Sequence, residues 1–268
     1  MNAALRHHVT RTGVPGAQSL VFAHGFGCDQ HMWRHVAPAF EDKFDVILFD
    51  HVGAGASDLS AYDPERYANL SAYAEDVVEL CLELDTRDTI FVGHSVSGMV
   101  GVLADIEQPG LFSGLVLVGP SACYIDHPED AYVGGFSAQD IEELLAVIDD
   151  NYLGWSSAMA PLIMANPERP ELGQELTESF CRTDPDIARQ FARVTFTSDN
   201  RSDLPQVTAP TLVLQCREDA IAPLDAGRLV HDSIPDSTFV LMDATGHIPH
   251  LSAPRETIAE VAAFLRCA

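Results

Sequence analysis

Three stretches carry residue types that together can perform nucleophilic acyl chemistry: "GHSVSG" at 93–98, "CREDA" at 216–220 and "DATGH" at 243–247. A serine hydroxyl is a poor nucleophile until a base takes its proton, and an imidazole serves as that base when an acid orients it. Ser95 directly follows the apolar run Thr89-Ile90-Phe91-Val92, has only small residues around it, and precedes a helical pattern through Met99, Val100 and Leu103. Strand, G-x-S-x-small and helix make a nucleophile elbow, a tight turn that lifts the serine above the edge of a sheet. The usual closing glycine is replaced by Ser97, with Gly98 one place late. Such a turn also closes ordinary strand–helix units, so the partners decide.

Both partners follow later apolar runs, in the chain order serine, acid, histidine that this elbow requires. Asp219 is read as the acid, with Glu218 one residue earlier as the alternative. His247 is read as the base, because Gly246 lets the loop swing it over the serine. His250 is set aside, since Pro249 and Leu251 place it where the chain enters its last helix. An oxyanion would be held by the backbone N–H groups of Val96 and of Phe26 in "HGFGCDQ", where Gly25 and Gly27 free the chain to turn inward.

Elements that must position these residues are legible in the apolar pattern. Six runs read as strands: Ser19–His24, Phe44–Asp50, Thr89–Gly93, Leu115–Gly119, Thr211–Gln215 and Thr238–Met242. Near-continuous apolar character is expected of central parallel strands covered on both faces. Between them, Ala74, Val77, Val78, Cys81 and Leu82 share a helical face, as do Ile258, Val261, Ala262 and Leu265 behind Pro254. This alternation predicts an α/β, doubly wound, mostly parallel sheet.

The alternation breaks over 124–200. Ser137 can cap a helix with Ile141, Leu144, Leu145 and Ile148 in a stripe, and a shorter piece follows near Trp155–Met164. Pro170 opens a third helix with Leu172, Leu176 and Phe180 on one side, and Asp184-Pro185 opens a fourth carrying Ile187, Phe191 and Val194. The expectation is a core of 1–123 and 201–268 with a helical lid, 124–200, inserted into it.

Composition narrows the partners. The 268 residues carry 15 basic and 40 acidic side chains, a formal charge of −25, with Lys43 the single lysine. That field repels phosphate backbones and anionic membranes, which excludes nucleic acid and membrane surfaces as partners. It serves solubility, with docking to a basic protein as the other reading. No apolar stretch approaches the roughly 20 residues of a membrane span, and "MNAALRHHVTRTGVPG" has no signal-peptide core, so a cytoplasmic location is expected. Cys28, Cys81, Cys123, Cys181, Cys216 and Cys267 show no close pairing and read as reduced and structural. His31 and His35 read as surface residues rather than a metal pair, and His7-His8 as an exposed N-terminal pair. "DHVGAGASD" at 50–58 lacks a P-loop lysine and a G-x-G-x-x-G register, so no nucleotide, cofactor or metal is assigned.

With these residues assembled, the chain resembles the α/β-hydrolase superfamily over essentially its whole length. Within it the chain is similar to the RsbQ-like group of bacterial stress-signalling hydrolases, related to the plant strigolactone and karrikin receptors. The resemblance is carried by "HGFGCDQHMW", "VILFDHVGAGASD", "FVGHSVSG", "GWSSAM", "DPDIARQFARVTFTSDNRSDL", "LQCREDAIAP" and "GHIPH", and serine at 97 is that group's own variant. The resemblance implies the α/β-hydrolase fold with a four-helix lid over an apolar pocket, and slow turnover of small esters or butenolide-like lactones. It implies pocket-lining roles for Phe26, Phe136, Trp155, Met159 and Phe196; read from pattern alone, most of these are lid core. Some members of the group are sensors that act with a signalling protein, so such a partner is implied by analogy. Two expectations follow: an esterase or lactonase using Ser95, His247 and Asp219, and a ligand sensor in which hydrolysis is secondary.

Overall fold

In the computed structural model, which describes residues 2–266, seven strands form one sheet. They are β1 (Thr10–Gly13), β2 (Ser19–Ala23), β3 (Asp45–Phe49), β4 (Thr89–His94), β5 (Phe112–Val118), β6 (Thr211–Glu218) and β7 (Ser237–Thr245). Their order across the sheet is β1-β3-β2-β4-β5-β6-β7. All neighbours are parallel except β1, which pairs antiparallel with β3. The sequence pattern missed β1 because every one of its side chains is exposed; an edge strand needs no apolar run. Nine α-helices accompany the sheet among the described residues: α1 (Ala3–Arg6), α2 (Leu70–Glu83), α3 (Val96–Glu107), α4 (Ala138–Met164), α5 (Pro170–Arg182), α6 (Pro185–Thr197), α7 (Leu224–Ser233), α8 (Pro249–Ser252) and α9 (Pro254–Phe264).

Alternate residues of the same strands feed two separate cores, which is why the strands read as unbroken apolar runs. Val21, Phe91, Leu115 and Val213 pack toward α2 and α3, while Phe22, Val92, Val116 and Leu214 pack on the opposite face with Val261 of α9. The connection from β2 leads outward to β3, and that from β4 leads the other way to β5. The carboxyl ends of β2 and β4 therefore flank the point where the winding reverses, where a crevice opens in sheets of this kind.

Between β5 and β6 the chain forms no strand of the sheet. A reciprocal cap starts α4: Ser137 Oγ accepts the Asp140 N–H at 3.1 Å, and Asp140 accepts the Ser137 N–H at 2.8 Å, a device worth about 1 kcal/mol. Asn151 leaves helical geometry (φ −150°, ψ 77°) and breaks α4 into two pieces. Pro170 and Pro185 occupy the first turns of α5 and α6, where a missing N–H costs nothing. Four helical pieces thus lie in three hydrogen-bonded runs. Their apolar faces share a third core containing Ile141, Trp155, Leu176 and Phe196. The excursion leaves and returns at one place, where Cys123 bridges Asp199 and the Asn200 N–H donates to Ala122 O at 2.8 Å.

One expectation needs correction: His7 is fully buried. The Ala3 N–H donates to Glu83 at 2.9 Å, and Arg6 pairs with Glu79 at 2.5 Å, so α1 is pinned on α2 and tucks His7 against Phe49. Of that pair only His8 is exposed. In the glycine-rich 50–58 stretch, the buried Asp50 carboxylate accepts the N–H groups of Gln30 at 2.8 Å and Ala56 at 2.9 Å, a structural use of the loop. Cys28, Cys81, Cys123 and Cys216 are buried free thiols and Cys181 is an exposed one; Cys267 lies outside the described residues.

Candidate active site

Ser95 sits between the last residue of β4 and the first of α3, at φ 55° and ψ −123°. A side chain rarely adopts such a backbone, and it persists only where surrounding contacts impose it. The Ser95 N–H donates to Val118 O at 2.8 Å, extending the ladder to β5. A β-carbon on Gly93 would collide with the Ser97 carbonyl, so the turn closes only over glycine there. Ser97 ties the elbow to its neighbour: its hydroxyl donates to His24 O at 2.5 Å and accepts from His51 Nε2 at 2.7 Å. The loops after β2 and β4 are thereby locked together.

The loops after β6 and β7 bring two more side chains to this elbow. His247 Nε2 lies 2.8 Å from Ser95 Oγ, and His247 Nδ1 lies 2.7 Å from Asp219 Oδ2. The other Asp219 oxygen accepts the N–H groups of Ile221 at 2.8 Å and Ala222 at 3.0 Å. Burial alone would raise the Asp219 pKa, but the adjacent His247 and these two N–H groups outweigh it, and the carboxyl stays below its usual range. A fixed carboxylate on Nδ1 sets the tautomer in which Nε2 faces the serine as an acceptor. Glu218 is exposed and contributes only its carbonyl, which accepts the Gly246 N–H at 2.7 Å.

The backbone around His247 is held from two sides. Its N–H donates to Ile163 O at the end of α4, at 2.9 Å, and its carbonyl accepts from His94 Nε2, at 2.9 Å. Gly246 has φ 88°, and a β-carbon there would collide with Met164 O. Burial, reinforced by His247, pushes the His94 pKa down to about 3, so this ring is a neutral donor. His250 lies behind it, stacked on Trp33 at 4.2 Å between ring centroids.

No protein acceptor takes the backbone N–H of Phe26 or Val96 among the described residues. Both residues flank Ser95 across the β2–β4 crevice. Ser95 and His247 open into a cavity walled by Phe26, Phe136, Trp155, Met159 and Phe196. Phe26 anchors the wall, with Trp155, Phe180, Phe191 and Phe196 at 5.9–6.1 Å between centroids. The cavity has a volume of about 50 Å³, far below the roughly 300–1,000 Å³ of sites that engulf drug-sized ligands. A larger open groove of about 600 Å³ lies outside it, lined by Asp29, Arg34, Glu41 and Arg182 and sharing only Cys28 with the inner cavity. It contains none of Ser95, Asp219 and His247.

Tyr124 and Phe180 are among the wall residues that escaped the sequence reading of the pocket. Tyr124 Oη lies 3.4 Å from Ser95 Oγ, and burial pushes its pKa upward against the opposing contact with Ser95. An aromatic residue just past β5 carried no mark of this. Phe180 stacks on Trp155 at 5.4 Å; its place on the apolar stripe of α5 was the available signal. His31 and His35 are exposed and away from this cavity.

Known proteins place the chain in the same terms. A model of the alpha/beta hydrolase family matches residues 20–261. The chain is 37% identical over 249 residues to karrikin insensitive 2 receptor CA of Petunia hybrida, spanning 92% of this chain and 91% of that one. It is 35% identical over 252 residues to strigolactone esterase D14 of Arabidopsis thaliana, spanning 94% and 92%. A solved structure of a hydrolase from Oleispira antarctica matches with a TM-score of 0.95 and 39% identity, over 99% of this chain and 96% of that one. Fold, sheet order and sequence agree, and the chain belongs to the alpha/beta hydrolase family.

Proposed function

We propose that this protein is a serine hydrolase of small apolar carboxylic esters or lactones. The observation that carries the reading is the unbroken relay from Asp219 through His247 to Ser95, at 2.7 and 2.8 Å, on the floor of an apolar cavity. Ser95 Oγ attacks the carbonyl carbon while His247 Nε2 takes its proton, and Asp219 stabilises the imidazolium that forms. The N–H groups of Phe26 and Val96 receive the oxyanion, each contributing roughly 3 kcal/mol to the transition state. The intermediate collapses with the C–O bond breaking and His247 returning the proton to the leaving oxygen. Water, deprotonated by His247, then attacks the acyl-serine; the bond to Ser95 Oγ breaks, His247 returns the proton to that oxygen, and the acid is released. No cofactor enters this sequence. Residues 124–200 act as the lid, supplying Tyr124, Phe136, Trp155, Met159 and Phe196 to the wall. The free thiols support a reducing, cytoplasmic location, and no described helix is long and apolar enough to cross a membrane.

A second reading, ligand sensing with a signalling protein as partner, draws support from relatives named as receptors. Pre-steady-state release of nitrophenol from a short-chain nitrophenyl ester tests both, with Ser95→Ala as control. A stoichiometric burst with sustained turnover, both lost in the variant, is the expected outcome. A burst that stalls favours the sensor, and equal rates in both proteins overturn the serine mechanism.

A further inference from the structure

Where the helical excursion leaves and rejoins the sheet, Cys123, His127 and Asp199 converge. One ligand atom of each, a thiol sulfur, a ring nitrogen and a carboxylate oxygen, lies within 4.8 Å of the other two. Cys123 and Asp199 face each other as an antiparallel bridge, and His127 Nε2 is 4.0 Å from Asp199 Oδ2. We propose that these three side chains bind one zinc-class divalent cation that clips the two ends of the excursion together, independently of the hydrolase reading.

The ligand chemistry selects the metal. Zinc takes sulfur at about 2.3 Å and nitrogen or oxygen at about 2.0–2.2 Å in a tetrahedron. Donors on one such ion stand about 3.3–3.7 Å apart, so the three side chains would close on one another by up to about 1.2 Å, with the fourth position left to water. A thiolate among three donors disfavours magnesium and calcium, which prefer oxygen. The thiol releases its proton to solvent on binding, and nothing is oxidised or reduced. The contact Cys123 Sγ gives up is the 3.5 Å one with Ile125 O. The partly buried His127 and the exposed Asp199 provide the path of entry, and Cys123 is the buried floor.

The groups behind the ligands are in place. Glu129 Oε1 lies 3.0 Å from His127 Nδ1; by taking that N–H it leaves Nε2 as the ligating atom, the arrangement that orients metal-bound histidines. Arg201 is both support and competitor, with Nε 2.9 Å from Asp199 Oδ1 and Nη2 2.7 Å from Oδ2. On binding, Oδ2 exchanges Nη2 for the metal while Oδ1 keeps Nε. The guanidinium retains Asp130 at 3.3 Å and the Tyr132 ring at 4.9 Å. Asp199 is remote from Cys123 in the chain, so ligand spacing could not announce the cluster.

The test is titration of the chelator-treated full-length protein with cobalt(II), followed by zinc competition and thermal melting. The expected result is one equivalent of cobalt with a thiolate-to-metal charge-transfer band, displacement by zinc, and a zinc-dependent rise in Tm. The band is lost in Cys123→Ser, the affinity falls strongly in His127→Gln, and Glu129→Gln weakens binding about tenfold or more. His127→Gln, at a half-exposed position, keeps the test open if Cys123→Ser does not fold. No thiolate band in the wild-type protein, or zinc affinity unchanged in His127→Gln, overturns the proposal.

Discussion

Ser95 is held at a backbone angle that a serine avoids, and the contacts imposing it are identifiable: the bond to Val118, the glycine at 93 and the Ser97 hydroxyl. Ser97 therefore does more than replace a small residue. A glycine there would close the turn but leave His24 O and His51 Nε2 without their shared partner, and buried polar groups so stranded cost about 1–3 kcal/mol each. Asp219 and Glu218 are neighbours with opposite environments, one sealed on His247 and the other facing water. Asp219→Asn should lower kcat about 10⁴-fold, because an amide supplies a donor where an acceptor must hold the tautomer. Glu218→Gln should leave kcat within about twofold, as surface changes do. Ester turnover by both variants decides between them, and equal losses would remove Asp219 from its role.

At the scale of elements, the end of α4 and the loop after it are fastened to the segment around His247. Ile163 O accepts the His247 N–H, Asn166 Nδ2 donates to Thr245 O at 3.0 Å, and Arg169 Nη1 donates to Ser252 O at 2.8 Å. A displacement of α4 would therefore act on the loop that carries His247, and through it on the proposed relay. Asn166→Ala removes one of these ties without touching the cavity wall. We expect kcat to fall about tenfold with KM little changed, since small misplacements of a catalytic group are costly. A rise in KM at unchanged kcat would mean that Asn166 serves the wall rather than the base.

For the whole molecule, acid is the vulnerable direction. Burial holds the pKa of His51, His94 and His250 well below the ordinary imidazole value, His94 at about 3. In the unfolded chain each titrates near 6.5, so below that pH the unfolded state binds more protons and stability falls. The full stability is present above about pH 6.5 and is lost progressively toward pH 3. Each histidine contributes a slope approaching 1.4 kcal/mol per pH unit, roughly 4 for the three. The charge of −25 acts the other way, because protonating carboxylates relieves repulsion, but mostly below pH 5. Tm should fall between pH 6.5 and 5, and His250→Phe should make that slope shallower by roughly 1 kcal/mol per pH unit. A flat profile over this interval would mean that these rings are charged in the fold.

The sequence by itself determined the strands buried on both faces, the chain order of serine, acid and histidine, and the prolines and caps that begin the helices. Each is a local consequence of side-chain period or backbone geometry, and each carries its signal within a dozen residues. Edge strand β1 left no apolar trace, and the burial of His7 depends on α1 docking against α2. Tertiary structure alone decided that His94 and Ile163 fasten His247, that Tyr124 stands beside Ser95, and that Cys123 meets Asp199. These contacts join residues far apart in the chain, where proximity follows from the winding of the sheet and the return of the helical excursion. Local pattern encodes which face a residue presents; only packing decides what that face meets.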